Sequence, residues 1–140
     1  MSKPKKCILL GATGSIGESS LRVIRKHPDK LKLFGASGHS QADKLISIAQ
    51  EFKVTNLHLS RSPDALGSPS LETPINFGGN GLEELAAHPE ADLVVIAIVG
   101  TAALRPTLAA LEAGTDVVLA NKESLVLGGR IVTETARRTG

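Results

Sequence analysis

The chain has 140 residues, 41% of them hydrophobic and 21% charged, with a formal net charge of +2. Those proportions exclude a disordered chain and suit one domain with a proper core. Aromatics make up only 2%, three Phe with no Trp or Tyr, which argues against a nucleic-acid platform built on stacked rings. Cys7 is the single cysteine, so an internal disulfide is excluded. Met1–Lys6 is basic, but the apolar run behind it, Cys7–Leu10, is too short for the core of a signal peptide. The longest apolar run, Leu93–Val99, falls far short of the roughly 20 residues of a membrane span. The expectation is a cytoplasmic protein with neither a membrane nor a nucleic-acid partner.

In chain order, Cys7–Leu10 reads as a first strand ending at Gly11. Residues 16–26 read as a helix with Ile16, Ser20, Val23 and Ile24 on one face, stopped by His27-Pro28. Leu31–Ser37 is the second strand, and Gln41–Phe52 a helix with Ala42, Leu45, Ile46, Ala49 and Phe52 at helical spacing. Asn56–Leu59 is a third strand. Ser60–Gly81, with three prolines and four glycines, is irregular apart from a short strand near Ile75–Phe77. Gly81–His88 is a short helix and Leu93–Ile98 the central strand. Leu104–Ala113 is a helix that tolerates Pro106 in its first turn and is capped by Gly114. Asp116–Ala120 is the next strand, and a last helix ends near Arg138. Strands alternating with helices predict an α/β fold: a doubly wound, mostly parallel, Rossmann-like sheet that binds ligands beyond the carboxyl ends of its strands.

Loop one, Gly11-Ala12-Thr13-Gly14-Ser15-Ile16-Gly17, lies between the first strand and the first helix. Gly11 allows a tight turn, Gly14 lets backbone approach a pyrophosphate, and Gly17 lets the helix pack on the strand. The amides of Thr13–Ile16 and the helix dipole then face the phosphates, with hydroxyls from Thr13 and Ser15. The bland alternative is a glycine-rich connector without a ligand. About 20 residues beyond the glycines, NAD-specific domains place an acid on the ribose 2′-hydroxyl. Here the count reaches Ser37-Gly38-His39-Ser40, and no acid occurs from Leu31 to Ala42. Hydroxyl, glycine and imidazole, with Lys44 close by, suit a 2′-phosphate and favour NADP over NAD. Val99-Gly100-Thr101, after the fifth strand, lets a ribose or nicotinamide lie on backbone, or is an ordinary turn. Asn121-Lys122-Glu123-Ser124 leaves the last strand at the crevice, either as site residues or as a solvated Lys–Glu pair. There is no His/Cys cluster for zinc and no cysteine beyond Cys7 for a thiol nucleophile.

The strings ILLGATGSIG, AIVGTAALRPTLAALEAG and VVLANKESLV span most of the chain. Together they resemble 1-deoxy-D-xylulose 5-phosphate reductoisomerase. The resemblance implies isomerisation and NADPH-dependent reduction of that sugar phosphate to 2-C-methyl-D-erythritol 4-phosphate, in non-mevalonate isoprenoid synthesis, by a homodimer that also uses a divalent cation, Mg or Mn. It implies NADPH contacts at Thr13, Gly14, Ser15, Ile16, Gly38, Asn121 and Glu123, and a substrate contact at Lys122. Gly38-His39-Ser40 departs from the family's frequent Gly-Lys-Asn, so His39 and Ser40 stand as the 2′-phosphate candidates. Family members are much longer. The expectation is that residues 1–140 are the NADPH-binding domain. No catalytic residue lies in this stretch, and the metal ligands and the catalytic and carboxy-terminal domains lie outside it. A homoserine-dehydrogenase-like oxidoreductase and a non-catalytic NADP-binding sensor are the alternatives. Homoserine dehydrogenases usually carry G-x-G-x-x-G and lack the Glu-Ser continuation. Semialdehyde dehydrogenases need a downstream cysteine.

Overall fold

A computed structural model describes residues 4–39, 41–54, 56–59, 75–77, 81–98 and 103–119. The strands are β1 (Lys5–Leu10), β2 (Leu31–Gly38), β3 (Asn56–Leu59), β4 (Ile75–Phe77), β5 (Leu93–Ile96) and β6 (Asp116–Leu119). The helices are α1 (Ser15–Lys26), α2 (Ala42–Phe52), α3 (Gly81–Ala86) and α4 (Leu104–Glu112). The strands form one sheet in the order β4-β3-β2-β1-β5-β6, and every pair is parallel. The chain winds outward from β1 to β4, then returns to the other side of β1 for β5 and β6. The reversal falls between β1 and β5, the place where such sheets open a crevice at their carboxyl edge. β1 and β2 are therefore central, and β5, expected in the centre, lies beyond β1. A doubly wound sheet grows both ways from its first strand, so an apolar run alone does not reveal which strand is innermost.

The sheet is covered on both faces, which is why Cys7–Leu10 can be apolar without alternation. Leu9, Leu33, Ala36, Leu57 and Leu59 pack with Leu21 and Ile24 of α1 and Leu45, Ile48 and Ala49 of α2. Ile8, Leu10, Val94 and Ile96 pack on the other face with Leu85 and Ala86 of α3 and Ala110 of α4. Each fully buried Leu or Ile here contributes roughly 1.5–3 kcal/mol relative to exposure. The phase of α1 differs from the expected face. Gly17, Leu21 and Ile24 turn inward, while Ile16 and Val23 are 40% and 51% exposed. Gly17, with no side chain for a hydropathy pattern to register, sets that phase by touching backbone. His27 ends α1 as its C-cap, and Gly114, at φ +79, follows α4 with its N–H donating to the Leu111 carbonyl. Pro106 is the third residue of α4. Among the described residues no helix is long and apolar enough to cross a membrane. The expected last helix lies outside the described residues.

One irregularity matters for the site. Cys7 pairs with Leu33 but Ile8 with Gly35, so β2 carries one extra residue, Phe34. Leu33 and Ala36, three apart, consequently pack in the same layer.

His58 of β3 is 2% exposed, and its Nδ1 has no hydrogen-bond partner among the described residues. Gly81 opens α3 against the ring; a Cβ there would stand 2.6 Å from Nδ1. Burial holds the imidazole below its ordinary 6.5, against the opposing pull of Glu84. The unfolded chain therefore takes up a proton at higher pH than the folded one. Stability is fully present above pH 6.5 and declines as pH falls through that value toward the lower folded pKa. His58→Leu removes this titration. Denaturant unfolding between about pH 7.5 and pH 5 should show the wild type losing more stability than the variant over that range. Parallel profiles would contradict the assignment.

Candidate functional site

The carboxyl edge of the sheet holds a cleft of about 520 Å³. Loop one supplies Gly11, Thr13, Gly14, Ser15 and Ile16 to its wall; the end of β2 supplies Ser37, Gly38 and His39. Gln41, Leu82 of α3, and Ala97 and Ile98 after β5 complete it. Sequence reasoning singled out loops one and two but missed Leu82 and Gln41. Neither carries a local signal, because only the return of α3 to the sheet brings Leu82 to the cleft.

Loop one is shaped by backbone contacts. Gly11 has φ +88, and a Cβ there would lie 2.7 Å from the Ala97 carbonyl oxygen. At Gly17 a Cβ would come 2.3 Å from the Gly11 carbonyl oxygen and 2.7 Å from Ala12 backbone. Gly14 is different: it sits in extended backbone (φ −88, ψ 179) as the N-cap of α1, and a Cβ there would meet nothing nearer than 3.8 Å. Gly11 and Gly17 are thus needed to fold, whereas Gly14 leaves open space at the head of α1.

The hydrogen bonds show which groups remain available. The Gly11 N–H donates to Ser37 Oγ at 3.0 Å, and the Ala12 N–H to the Ser37 carbonyl at 2.7 Å. The Gly14 N–H donates to the Gly11 carbonyl, and the Glu18 N–H closes the first helical bond on Gly14. The amides of Ser15, Ile16 and Gly17 precede that bond and have no acceptor among the described residues. They lie at the positive end of the twelve-residue α1, a favourable place for an anion.

At the end of β2, Gly38 packs on the Thr13 side chain; a Cβ at 38 would stand 3.1 Å from Thr13 Cγ2. Loops one and two are therefore in direct contact. Thr13 is 9% exposed and turns toward β2, while His39 is exposed. Two residues expected near a 2′-phosphate are occupied otherwise. Ser37 turns its hydroxyl to the Gly11 amide. Lys44 Nζ donates to the Thr13 carbonyl at 2.8 Å and ion-pairs with Glu18, outside the cleft wall. The hydrogen bond that Lys44 Nζ donates to the Glu18 carboxylate, then the lysine's charge, holds that carboxyl below the usual range. No described residue of the cleft wall is acidic. Ser40, Gly100, Asn121, Lys122 and Glu123 lie outside the described residues. Among the described residues no group of three His, Cys, Asp or Glu side chains could hold a metal ion.

A fully parallel, doubly wound sheet whose cleft is built on a glycine turn defines a Rossmann-like α/β domain. The family model for 1-deoxy-D-xylulose 5-phosphate reductoisomerase matches residues 7–129. The enzyme of that name from Ralstonia nicotianae is 44% identical over 138 residues, 94% of this chain and 35% of the relative. A crystal structure of DOX-P reductoisomerase in complex with NADPH, fosmidomycin and magnesium is 43% identical, with TM-score 0.88, over 97% of this chain and 35% of that one. A homoserine dehydrogenase from Thiobacillus denitrificans, 22% identical with TM-score 0.68 over 99% of this chain and 28% of its own, shares the fold alone. The chain belongs to the 1-deoxy-D-xylulose 5-phosphate reductoisomerase family, and it spans about a third of the length of the relatives it matches.

The glycine geometry makes a prediction about folding. Gly17→Ala forces a side-chain carbon onto backbone that no rotamer change can relieve. Its Tm should fall by on the order of 10 °C, from an overpacking cost of about 3 kcal/mol. Gly14→Ala should leave Tm unchanged or slightly raised. Differential scanning calorimetry distinguishes them; equal effects would contradict the separate roles.

Proposed function

We propose that residues 1–140 form the NADPH-binding domain of an enzyme that isomerises and reduces 1-deoxy-D-xylulose 5-phosphate to 2-C-methyl-D-erythritol 4-phosphate. The observation that carries this reading is the cleft itself: open helix amides and the acid-free end of β2 share one wall, in a chain of this family. In this reading the pyrophosphate lies over Gly14, held by the Ser15 and Ile16 amides and the dipole of α1. The open space at Gly14 is the room that backbone approach requires. The adenosine ribose lies toward Gly38, His39 and Ser40. No carboxylate from Leu31 to Ala42 is there to hold a 2′-hydroxyl or to repel a 2′-phosphate.

When bound, NADPH supplies the hydride for the reduction. The chain's own residues bind and orient it. Asn121 and Glu123 are proposed to contact the cofactor and Lys122 the substrate. They follow β6, whose carboxyl end lies on the same edge of the parallel sheet as the cleft. In this reading the Lys122 ammonium would hold a substrate oxygen that gains negative charge as the ketose rearranges. Catalysis, the divalent cation and homodimer formation are proposed for the whole cytoplasmic enzyme, with the metal ligands in the part of the relatives that this chain does not span. Its similarity to homoserine dehydrogenase is one of fold and supports no such activity here.

Calorimetric titration should show NADPH binding tighter than NADH by on the order of tenfold, a difference of about 1.4 kcal/mol. Gly14→Val should keep the wild-type circular dichroism spectrum and lose binding of both. Equal affinities would overturn the reading of loop two, and normal binding by Gly14→Val that of loop one. In the complete enzyme, Lys122→Ala should cut kcat/KM for the sugar phosphate by on the order of a hundredfold while leaving NADPH affinity near wild type. A loss confined to NADPH affinity would reassign the lysine to the cofactor.

A further inference from the structure

We infer that Ser37 is the positioning residue of the glycine loop: its hydroxyl fixes the Gly11 amide, and through it the orientation of the phosphate-facing amides that follow. The inference rests on the reading of the cleft as an NADPH site and adds a residue that this reading does not assign.

Three observations support it. Ser37 is 2% exposed, and it holds two successive peptides of the loop, the Gly11 amide on its Oγ and the Ala12 amide on its carbonyl. The Gly11 end of the loop also abuts the backbone just after β5: Gly11 comes so close to the Ala97 carbonyl that a Cβ would overlap it. The loop's origin is thereby fixed between β2 and β5. Third, the contact depends on the extra residue in β2. Were the Lys5–Cys7 register to continue unbroken, Leu10 would face Ala36, and a methyl would stand where the hydroxyl now does. With Phe34 inserted, Leu10 faces Ser37, and the hydroxyl reaches the next amide along the chain.

Without the hydroxyl, the partly buried Gly11 amide loses its acceptor. The peptide is then free to tilt, and the amides beyond it lose their fixed direction toward the cleft. Because the pyrophosphate is common to both dinucleotides, NADPH and NADH should suffer alike. A direct contact to the 2′-phosphate, which loop two alone would suggest for Ser37, predicts a loss for NADPH only.

The experiment compares the 140-residue wild type with Ser37→Ala, at a temperature where circular dichroism shows both folded. Dissociation constants for NADPH and NADH are measured by calorimetry, and amide hydrogen exchange at Gly11 by NMR without ligand. The expected result is a loss of about tenfold for each cofactor at an unchanged NADPH/NADH ratio, with faster exchange at Gly11. Loss for NADPH alone, a lowered Tm with both affinities intact, or unchanged exchange at Gly11 would overturn the inference. A wild type that binds neither dinucleotide would overturn the proposed function instead, while exchange at Gly11 would still report on the hydrogen bond.

Discussion

The close approach of Gly17 to the Gly11 carbonyl and the Ala12 backbone sets the geometry of this end of the molecule. It lets α1 begin directly against the turn that ends β1. Because Gly17 lies on the inner side, Leu21 and Ile24, four and seven residues on, meet the sheet, and Ala12 is sealed beneath. The same contact aims the start of α1 at the crevice between β1 and β5. The open amides of Ser15 and Ile16 follow from that placement: a helix begun elsewhere would direct them to bulk water.

In the proposed reading the cleft works with dipoles and backbone groups. Lys44, the cation closest in sequence to loop two, is held by the Thr13 carbonyl and by Glu18. It bridges α2 to the loop, so in that reading anion binding falls to amides, which are fixed and carry no net charge. The overall charge of +2 is in keeping with that economy. Ser37 extends the principle to the other side of the loop, so the turn is held from β2 by a hydroxyl, from the backbone after β5 by steric contact and from α2 by an ammonium.

Much of this was legible in the sequence, for identifiable reasons. Apolar runs bounded by glycine and proline marked the strands, and Asn56–Leu59 agrees with its expected bounds. The alternation of strands and helices gave the parallel, doubly wound sheet. The positions of Thr13, Gly14, Ser15, Ile16, Gly38 and His39 around one cleft follow from strand–loop–helix order. What could not be read was non-local. The phase of α1 depends on a glycine that has no hydropathy. The inserted Phe34 is set by pairing with β1, and it brings Ser37 beneath the loop instead of out to a ribose. Lys44 looked available until the fold placed Glu18 and the Thr13 carbonyl against it. The proposed roles of Asn121, Lys122 and Glu123 rest on the family motif, and that of Ser40 on its place in the acid-free stretch after β2.

The most direct test of the account is a chemical-shift titration of the ¹⁵N-labelled chain with NADPH. The amides of Thr13, Ser15 and Ile16 should shift most, followed by those of Gly38 and His39, with little change at Lys6 and Glu90 on the opposite edge of the sheet. Shifts concentrated at that opposite edge, or a silent glycine loop under saturating NADPH, would contradict it.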